Sequence, residues 1–367
     1  MTGVKTQKFL PKKSWKKRLL IIVFVLFNIV VIAATAINEY SRSTEATKLE
    51  NVVLNGWLLI PAVLIFIIAT FAYLLRYKLM IEKAFPKSKK PSERELWKTT
   101  WRMAMLGRYY DNITPGAIGG QPFQIYYMHK HSGLSRGHAT SVPIVGMIVG
   151  QIGFLLLAIV FFLVGNPTRD NAVLMIPAWL GLLFYAFWPA VVAGVNFFPK
   201  FTKKLFRVFV KIFAKFKLVR NREKALERVE NETDEYVKSV KMIIKTRKLF
   251  FGTIILSVVY HFLTSCIPFF VLKAFGGNVD FLESFATTLV VTSAVYFVPT
   301  PGNAGAAEGA FYIVFSALSA GYVFWAMLIW RFFSYYIYII FGPITYFFMN
   351  LEKKRGEKSE KKEIGGE

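Results

Sequence analysis

Long apolar runs are the feature that most restricts how this chain can fold. Six runs of about 20 apolar residues occur, and this is the length of helix that crosses a bilayer. They are Leu19–Ile37, Trp57–Leu75, Ala139–Val164, Ala172–Phe198, Leu249–Phe275 and Tyr322–Met349. Since 54% of the 367 residues are hydrophobic, the chain has the composition of an all-α polytopic membrane protein, and an ordinary soluble domain is excluded.

The net charge of +24 is spread unevenly, and its distribution predicts the orientation of the chain. Residues 1–18 carry seven Lys or Arg and no acidic residue, and residues 199–248 carry sixteen against six. Residues 76–98 and the C-terminal tail are also rich in Lys and Arg. Because cytoplasmic loops collect basic residues, we expect these segments and both termini in the cytoplasm of a protein of the cell (plasma) membrane. In this scheme Arg76 anchors the cytoplasmic end of the second run.

The basic residues flank the apolar runs, which is typical of topology signals and of contact with anionic lipids at the cytoplasmic face. We therefore expect anionic lipids, and no nucleic acid, as partners of these residues. The start of segment 199–248 alternates basic and apolar residues at helical spacing, which predicts an amphipathic helix on the membrane surface. The chain has one cysteine, Cys266, and none of the nucleotide-binding motifs, so we expect no disulfide, metal site or cofactor.

The pattern TPGxxG occurs twice, in ITPGAIGGQP (113–122) and in PTPGNAGAAEG (299–309). The predicted orientation makes residues 99–138 begin and end in the cytoplasm, and residues 280–321 begin and end outside. Proline and glycine break a helix in the middle of each segment. Broken backbone is tolerated in a membrane only where protein or water covers it. We therefore predict six full spans plus two re-entrant helical hairpins, about eight membrane segments in all.

The pattern LSxG follows each motif, in SGLSRGHAT (132–140) and in SALSAGYVF (316–324), and leads into a span. The same order in opposite orientations predicts an inverted repeat, a common transporter design with a site near the midplane. The alternative is a coincidence among glycine-rich turns. The predicted domains are a basic N-terminus at 1–18, a transmembrane domain at 19–349 and a charged tail at 350–367. Within the transmembrane domain we predict repeat one at about 57–198, an amphipathic linker at 199–248 and repeat two at about 249–349.

A half-helix that starts after each motif would have unsatisfied N–H groups and the positive end of its dipole at its first turn. This combination suits a phosphate. We expect these helix starts near Gly119–Gln121 and near Gly305–Ala307, facing one cavity in the middle of the membrane. Close helix packing is the alternative role for the glycines.

Charged residues at membrane depth are costly and are the other candidates for a site. Arg331 lies ten residues into the last run and Glu308 begins the second half-helix, so we predict a pair between them, either structural or holding a lipid phosphate. Arg108 and Asp111 are three residues apart and share a helix face. The candidate substrate-binding residues are Arg108, Asn112, Gly116, Gly119, Gln121, Gly302, Asn303, Gly305, Glu308 and Arg331.

These stretches resemble a known family, the lysylphosphatidylglycerol synthase transmembrane region, also called the flippase-like domain family. NITPGAIGGQPFQIYYMHKHSGLSRGHATSVPIVG resembles its N-x-x-x-P-G-x-x-G signature, and VPTPGNAGAAEGAFYIVFSALS with LIWRFFSYYIYIIFG resembles its second P-G-x-x-G-x-x-E stretch. The matching positions are Asn112, Pro115, Gly116, Gly119, Pro301, Gly302, Gly305, Glu308, Arg331 and Gly342. The chain departs from the family pattern at Gln121 and Gln124, where a charge is common, and in Gly146–Gln151, where many members have a Glu-Arg pair.

The resemblance, which runs from about Leu59 to Phe348, implies a lipid translocase. Such a flippase moves a phospholipid or glycolipid headgroup across the membrane. After Met349 the chain is a short charged run, so we expect the translocating part without an aminoacyltransferase domain, and a transporter rather than an enzyme. A separate lipid synthase and a second copy of the chain are the other predicted partners. The alternatives are a membrane-embedded enzyme and an accessory subunit of lipid-linked sugar or aminoacyl-lipid synthesis.

Overall fold

The part of the chain described by the computed structural model is all-helical. The model describes residues 54–85, 90–117, 119–132, 134–164, 172–198, 222–318 and 323–364, with Ile37 and several positions between 200 and 210. Apart from Ile37, the predicted first span lies outside the described residues. The basic N-terminus and most of the predicted amphipathic helix after residue 198 also lie outside them.

The helices are numbered in the order in which they follow one another along the chain. Their bounds are α1 (Leu59–Ala84), α2 (Glu93–Ile113), α3 (Gly120–Ser132), α4 (Arg136–Val164), α5 (Ala172–Phe197), α6 (Arg222–Lys245), α7 (Arg247–Ala274), α8 (Phe281–Val295), α9 (Ala306–Leu318), α10 (Val323–Arg331) and α11 (Ile337–Ile364). A 3-10 turn, Gly56–Leu58, precedes α1, and a π-helical segment, Phe332–Tyr336, joins α10 to α11. The last three segments therefore form one continuous helical rod.

Among the described residues, five helical segments are long and apolar enough to cross a membrane. They are Gly56–Ala84, Arg136–Val164, Ala172–Phe197, Arg247–Ala274 and Val323–Glu352. Each coincides with one of the predicted apolar runs, so the prediction of a polytopic helical membrane protein is confirmed for the described part of the chain. Large apolar side chains remain exposed on these helices, among them Ile67, Phe71 and Leu183, as expected of surfaces that face lipid.

Local sequence signals explain where several helices begin and end. Ser92 caps α2 by accepting a hydrogen bond from the Glu95 N–H at 3.3 Å, in a Ser-x-x-Glu capping box. Helix α1 ends at Ala84 because Phe85 precedes a proline and is extended, with ψ 137°. Helix α2 ends for the same reason, since Thr114 precedes Pro115 and has ψ 142°.

Small residues allow the helices to approach closely, as in many membrane helix bundles. A Cβ added at Gly181 of α5 would lie 1.7 Å from the carbonyl oxygen of Ser293 in α8, and one at Gly153 of α4 would lie 2.6 Å from Ser257 in α7. Close packing, the alternative role for glycine, therefore applies at these positions outside the two motifs.

Candidate functional site

The two copies of TPGxxG fold into turns that share the backbone geometry of the first glycine and the residue after it. In each turn the glycine and the residue after it have positive φ: Gly116 68° and Ala117 52°, and Gly302 58° and Asn303 56°. The N–H of that next residue donates to the threonine carbonyl, at 3.3 Å in the first copy and 3.1 Å in the second. We call these the first TPG turn (114–119) and the second TPG turn (300–305). Left-handed backbone at a non-glycine residue is costly, so both turns are held by their surroundings.

The two turns touch each other. Pro115 and Pro301 form an isolated antiparallel bridge. Gly302 lies tightly at this contact, because an added Cβ would be 2.1 Å from the Tyr335 ring and 3.2 Å from the Asn112 carbonyl oxygen. The Asn112 side-chain amide donates to the Tyr335 carbonyl at 3.5 Å. Two motifs far apart in the chain therefore meet at one place.

A buried ion pair holds the second TPG turn. The Arg331 Nε donates to Glu308 Oε1 at 2.7 Å, and the side chains are 5% and 2% exposed. The other carboxylate oxygen accepts the Gly305 N–H at 2.7 Å, and Arg331 Nη2 donates to the Gly302 carbonyl at 3.2 Å. The predicted pair is confirmed, and it connects the start of α9 to the last membrane span.

The first TPG turn is held by different groups. Asp111 Oδ1 accepts the Gly120 N–H at 2.9 Å, and Thr114 Oγ1 accepts the Gly119 N–H at 2.9 Å. A Cβ at Gly120 would lie 2.4 Å from the Asp111 carboxylate. Glycine is therefore required here for the close approach of this cap.

These caps correct one prediction. The helices after the turns begin at Gly120 and Ala306, as expected, but the N–H groups of Gly119, Gly120 and Gly305 are not free for a phosphate. Asp111 and Thr114 satisfy the first two and Glu308 satisfies the third. The reason is that a buried N–H without a partner is expensive, and the nearby acidic side chains supply the negative charge that a helix start favours.

A cavity of about 1360 Å³ extends from the two turns toward the start of α4 and the side of α6. Its wall carries five basic residues, Arg76, Arg108, Lys130, Arg136 and Arg331, and two acidic residues, Asp111 and Glu232, among the residues that the structure describes. Arg76 and Arg331 belong to helices long and apolar enough to cross a membrane, and several tyrosines line the same wall, so the cavity is a positively charged, partly polar space.

Most of the predicted site residues face this cavity. The ones that line it are Arg108, Asn112, Gly116, Gln121, Gly302, Asn303 and Arg331. Gly119, Gly305 and Glu308 do not line it; they lie behind the turns and make the hydrogen bonds that hold them. The structure thus brings the ten predicted residues to one region. Seven of them line the cavity, and the other three stabilise the turns.

Comparison with known proteins agrees with this arrangement. A family model described as the lysylphosphatidylglycerol synthase TM region matches residues 18–342, which include both turns, the ion pair and α1. The chain belongs to this family. A UPF0104 membrane protein of Methanothermobacter thermautotrophicus is 22% identical over 267 residues, which are 70% of this chain and 77% of that protein. No solved structure gives a significant match.

In this member of the lysylphosphatidylglycerol synthase TM region family, the prediction for Arg76 is wrong. Arg76 is only 3% exposed, lines the cavity, and donates from Nη1 to Ser257 Oγ at 2.9 Å. Lys78, two residues further along, pairs with Glu93 at 3.0 Å and has the surface role expected of Arg76. The missed signal is the spacing of Tyr73, Arg76 and Tyr77, which places a polar face on an otherwise apolar helix.

Arg108 of this family member is surrounded by aromatic rings. Its guanidinium lies 4.6 Å from the Tyr338 ring centroid, and Arg76 lies 4.9 Å from the Tyr73 ring. The Tyr73 and Tyr260 rings are 5.3 Å apart. Cation–π contacts of this kind are stronger where water is excluded, and they keep both guanidinium groups beside the cavity.

Proposed function

We propose that this protein is a lipid translocase that moves a phospholipid or glycolipid headgroup through the cavity while the acyl chains stay in the membrane. The observation that carries the proposal is the cavity of about 1360 Å³ with five basic residues on its wall, enclosed by apolar spans. A polar headgroup crosses a bare bilayer slowly because polar and charged groups are costly in hydrocarbon. A cavity that offers hydrogen bonds and compensating charge lowers that cost.

We further propose that α2–α3 and α8–α9 are re-entrant hairpins that enter from opposite faces, giving about eight membrane segments. Helices α3, α8 and α9 contain 13, 15 and 13 residues, so each spans about 20 Å and is shorter than the hydrocarbon core of about 30 Å. The bridge between Pro115 and Pro301 supports hairpin tips that meet near the midplane, as in other transporters with inverted repeats.

The charge distribution supports the orientation. With the basic segment after Arg76 and residues 199–248 in the cytoplasm of a plasma-membrane protein, the part of the cavity near Lys130, Arg136 and Glu232 lies toward the cytoplasmic leaflet. Both termini are then cytoplasmic. Anionic lipids of that leaflet and a separate lipid synthase are the partners that fit this arrangement.

The alternative of a membrane-embedded enzyme needs acid–base groups that converge on the reacting atoms. Glu308 is committed to Arg331 and to the Gly305 N–H, which leaves Asp111 and Glu232 as the carboxylates that line the cavity among the described residues. No observation favours this alternative over transport.

The proposal is tested with purified protein in liposomes that contain tail-labelled fluorescent phospholipids and glycolipids in one leaflet at a time. We expect the protein to accelerate the exchange of at least one anionic lipid between leaflets, measured by chemical quenching of the outer label. Arg108→Gln should slow this exchange at least tenfold, because it removes a cavity charge. Arg102→Gln is the matched control, since Arg102 lies on the same helix but pairs with Glu352 at 2.6 Å outside the cavity.

Equal exchange rates with and without protein across the whole lipid panel would reject a translocase. An equal loss of rate in Arg108→Gln and Arg102→Gln would assign the effect to general damage of α2 and would remove the cavity from the mechanism. Chemical conversion of a lipid during the assay would favour the enzyme.

A further inference from the structure

Arg76 is a buried cation without a carboxylate partner among the residues that the structure describes. Its side chain is held by one hydrogen bond to Ser257 and by contact with Tyr73 and Tyr77. Its Nε is buried and has no hydrogen-bond partner in the described chain. An uncompensated charge at membrane depth costs several kcal/mol. An anion in the cavity that Arg76 lines would compensate this charge.

Arg108 also forms no ion pair within 4.0 Å among the described residues, although Asp111 on the same helix attracts it electrostatically. Its Nε is also buried and without a hydrogen-bond partner among the described residues, and its guanidinium lies over Tyr338. Asp111, one turn along the helix, uses Oδ1 to accept the Gly120 N–H. In contrast, Arg331 is satisfied by Glu308 and by the Gly302 carbonyl.

The two arginines face one space. Both line the large cavity, together with Tyr73 and Tyr260, whose rings are in contact at 5.3 Å. Two guanidinium groups directed at one space match a phosphate, because each can form two parallel N–H···O bonds to its oxygens.

A second feature indicates where the rest of the ligand lies. An apolar groove of about 330 Å³ lies between α1, α2 and α11, with Leu74, Met105 and Tyr338 among its lining residues. Its rim includes Ile67 and Phe71, which are 56% and 54% exposed, so it opens on the lipid-facing surface. Tyr338 is both a wall of this groove and the ring beneath Arg108.

We propose that Arg76 and Arg108 together bind the phosphate of an anionic phospholipid, and that one acyl chain of this lipid occupies the groove beside Tyr338. This assignment rests on the proposed translocase function and names its substrate class. The groove distinguishes a lipid phosphate from free phosphate, because free phosphate gains nothing from an apolar slot. An acyl chain is the occupant that fits an apolar groove next to a site for a lipid phosphate.

Binding is measured first, independently of transport. The full-length protein in uncharged detergent is titrated with phosphatidylglycerol, with diacylglycerol and with inorganic phosphate, and lipid occupancy is read by native mass spectrometry. We expect phosphatidylglycerol to bind more tightly than either fragment of it. Arg76→Gln and Arg108→Gln should each weaken phosphatidylglycerol binding about tenfold, while Arg102→Gln should change it less than twofold.

Thermal unfolding distinguishes a ligand-binding arginine from a structural one. Without lipid, Arg76→Gln should keep or raise the unfolding temperature, because it removes an unpaired buried charge. The same variant should lose the rise in unfolding temperature that phosphatidylglycerol gives the parent protein. A lowered unfolding temperature with an unchanged lipid-dependent rise would overturn the proposal.

The groove is tested with Ile67→Trp, which enlarges an exposed rim residue. We expect weaker phosphatidylglycerol binding and unchanged phosphate binding. Inorganic phosphate that binds as tightly as the lipid, with no effect of Ile67→Trp, would assign the site to free phosphate and overturn the lipid assignment.

The experiments distinguish failure of the translocase function from failure of the lipid-binding site. Lipid binding that depends on both arginines, without any accelerated exchange between leaflets, would reject the translocase and keep the binding site. Accelerated exchange with binding that depends on neither arginine would keep the translocase and reject the site.

Discussion

The two TPG turns have the same backbone conformation at Gly116–Ala117 and Gly302–Asn303 but are held by different side chains. The second turn is supported by a buried ion pair, in which Arg331 contacts both Glu308 and the Gly302 carbonyl. The first turn is supported by Asp111 and Thr114 through N–H caps, and no arginine forms an ion pair within that turn among the described residues. The two turns therefore share the conformation of their Pro-Gly-x part, while their polar interactions differ.

This difference separates the structural arginine of the second turn from the arginines of the cavity wall. In the second half of the molecule the arginine is used to fasten two helices together. In the first half Arg76 and Arg108 have no carboxylate bound to them in the described chain and face the cavity. Removing an arginine that is paired within the fold should lower stability. Removing an arginine that has no such partner should affect stability less.

The largest loss of stability, and so the strongest test of the difference between the two turns, is expected from Arg331→Met. This variant leaves Glu308 buried without its partner, and breaking a buried pair in this way costs about 3–5 kcal/mol. We expect a loss of this size in the free energy of unfolding, measured by denaturant titration in mixed micelles. The double variant Glu308→Gln, Arg331→Met should recover a substantial part of the loss. Loss in the double variant equal to that in the single variant would show that the pair is not what holds the second turn.

The next largest effect is expected from Gly302→Ala. The added Cβ would lie 2.1 Å from the Tyr335 ring at a residue with φ 58°, and overpacking together with left-handed backbone costs about 1–3 kcal/mol. Gly309→Ala is the matched control, because Gly309 lies inside α9 with nothing within 4 Å of its added Cβ. It should be neutral or stabilising. Equal effects of the two substitutions would contradict tight packing between the turns.

A smaller effect is expected from Asp111→Ala, which removes the cap on Gly120. Loss of a helix N-cap costs about 1 kcal/mol, and the cap lies beside the cavity, so we expect slower lipid exchange as well as lower stability. Asp280→Ala provides the comparison, because Asp280 caps α8 through the Leu282 and Glu283 N–H groups away from the cavity. It should lower stability by a similar amount without slowing exchange. The reverse ranking of exchange rates would place the first turn outside the transport path.

The smallest effect is expected from Arg102→Gln. The Arg102–Glu352 pair is partly exposed, at 15% and 49%, and such pairs contribute about 0–1 kcal/mol. Its unfolding free energy should therefore differ from the parent by less than that of the Arg331 variant. A loss as large as that of Arg331→Met would mean that burial does not account for the difference between the two pairs.

The sequence predicts the spans well because hydrophobic length is a local property. The helix starts at Gly120 and Ala306 and the Glu308–Arg331 pair were also within reach, since motif spacing and membrane depth restrict them strongly. Arg76 was assigned to the membrane surface because several charged residues follow it in the next two turns. Its burial depends on Ser257, which lies 181 positions away.

Other features of the site depend on contacts that no local pattern encodes. The cap on Gly120 comes from a side chain nine positions earlier, across a turn whose path must be known first. The groove beside Tyr338 is formed by three helices from both ends of the chain. The TPGxxG motifs predicted the location of the site. Tertiary packing determined which side chains and N–H groups there are free to bind a ligand.

The bridge between Pro115 and Pro301 has a consequence for assembly. It joins positions 186 residues apart, so it closes only after the intervening helices are in place, and contacts of such long range form slowly. The linker between α5 and α6 separates the two turns, so a chain cut there would carry one turn on each fragment. A disulfide introduced across the bridge would then form only in reassembled molecules, and its yield over time would report how fast the two halves of the protein find each other.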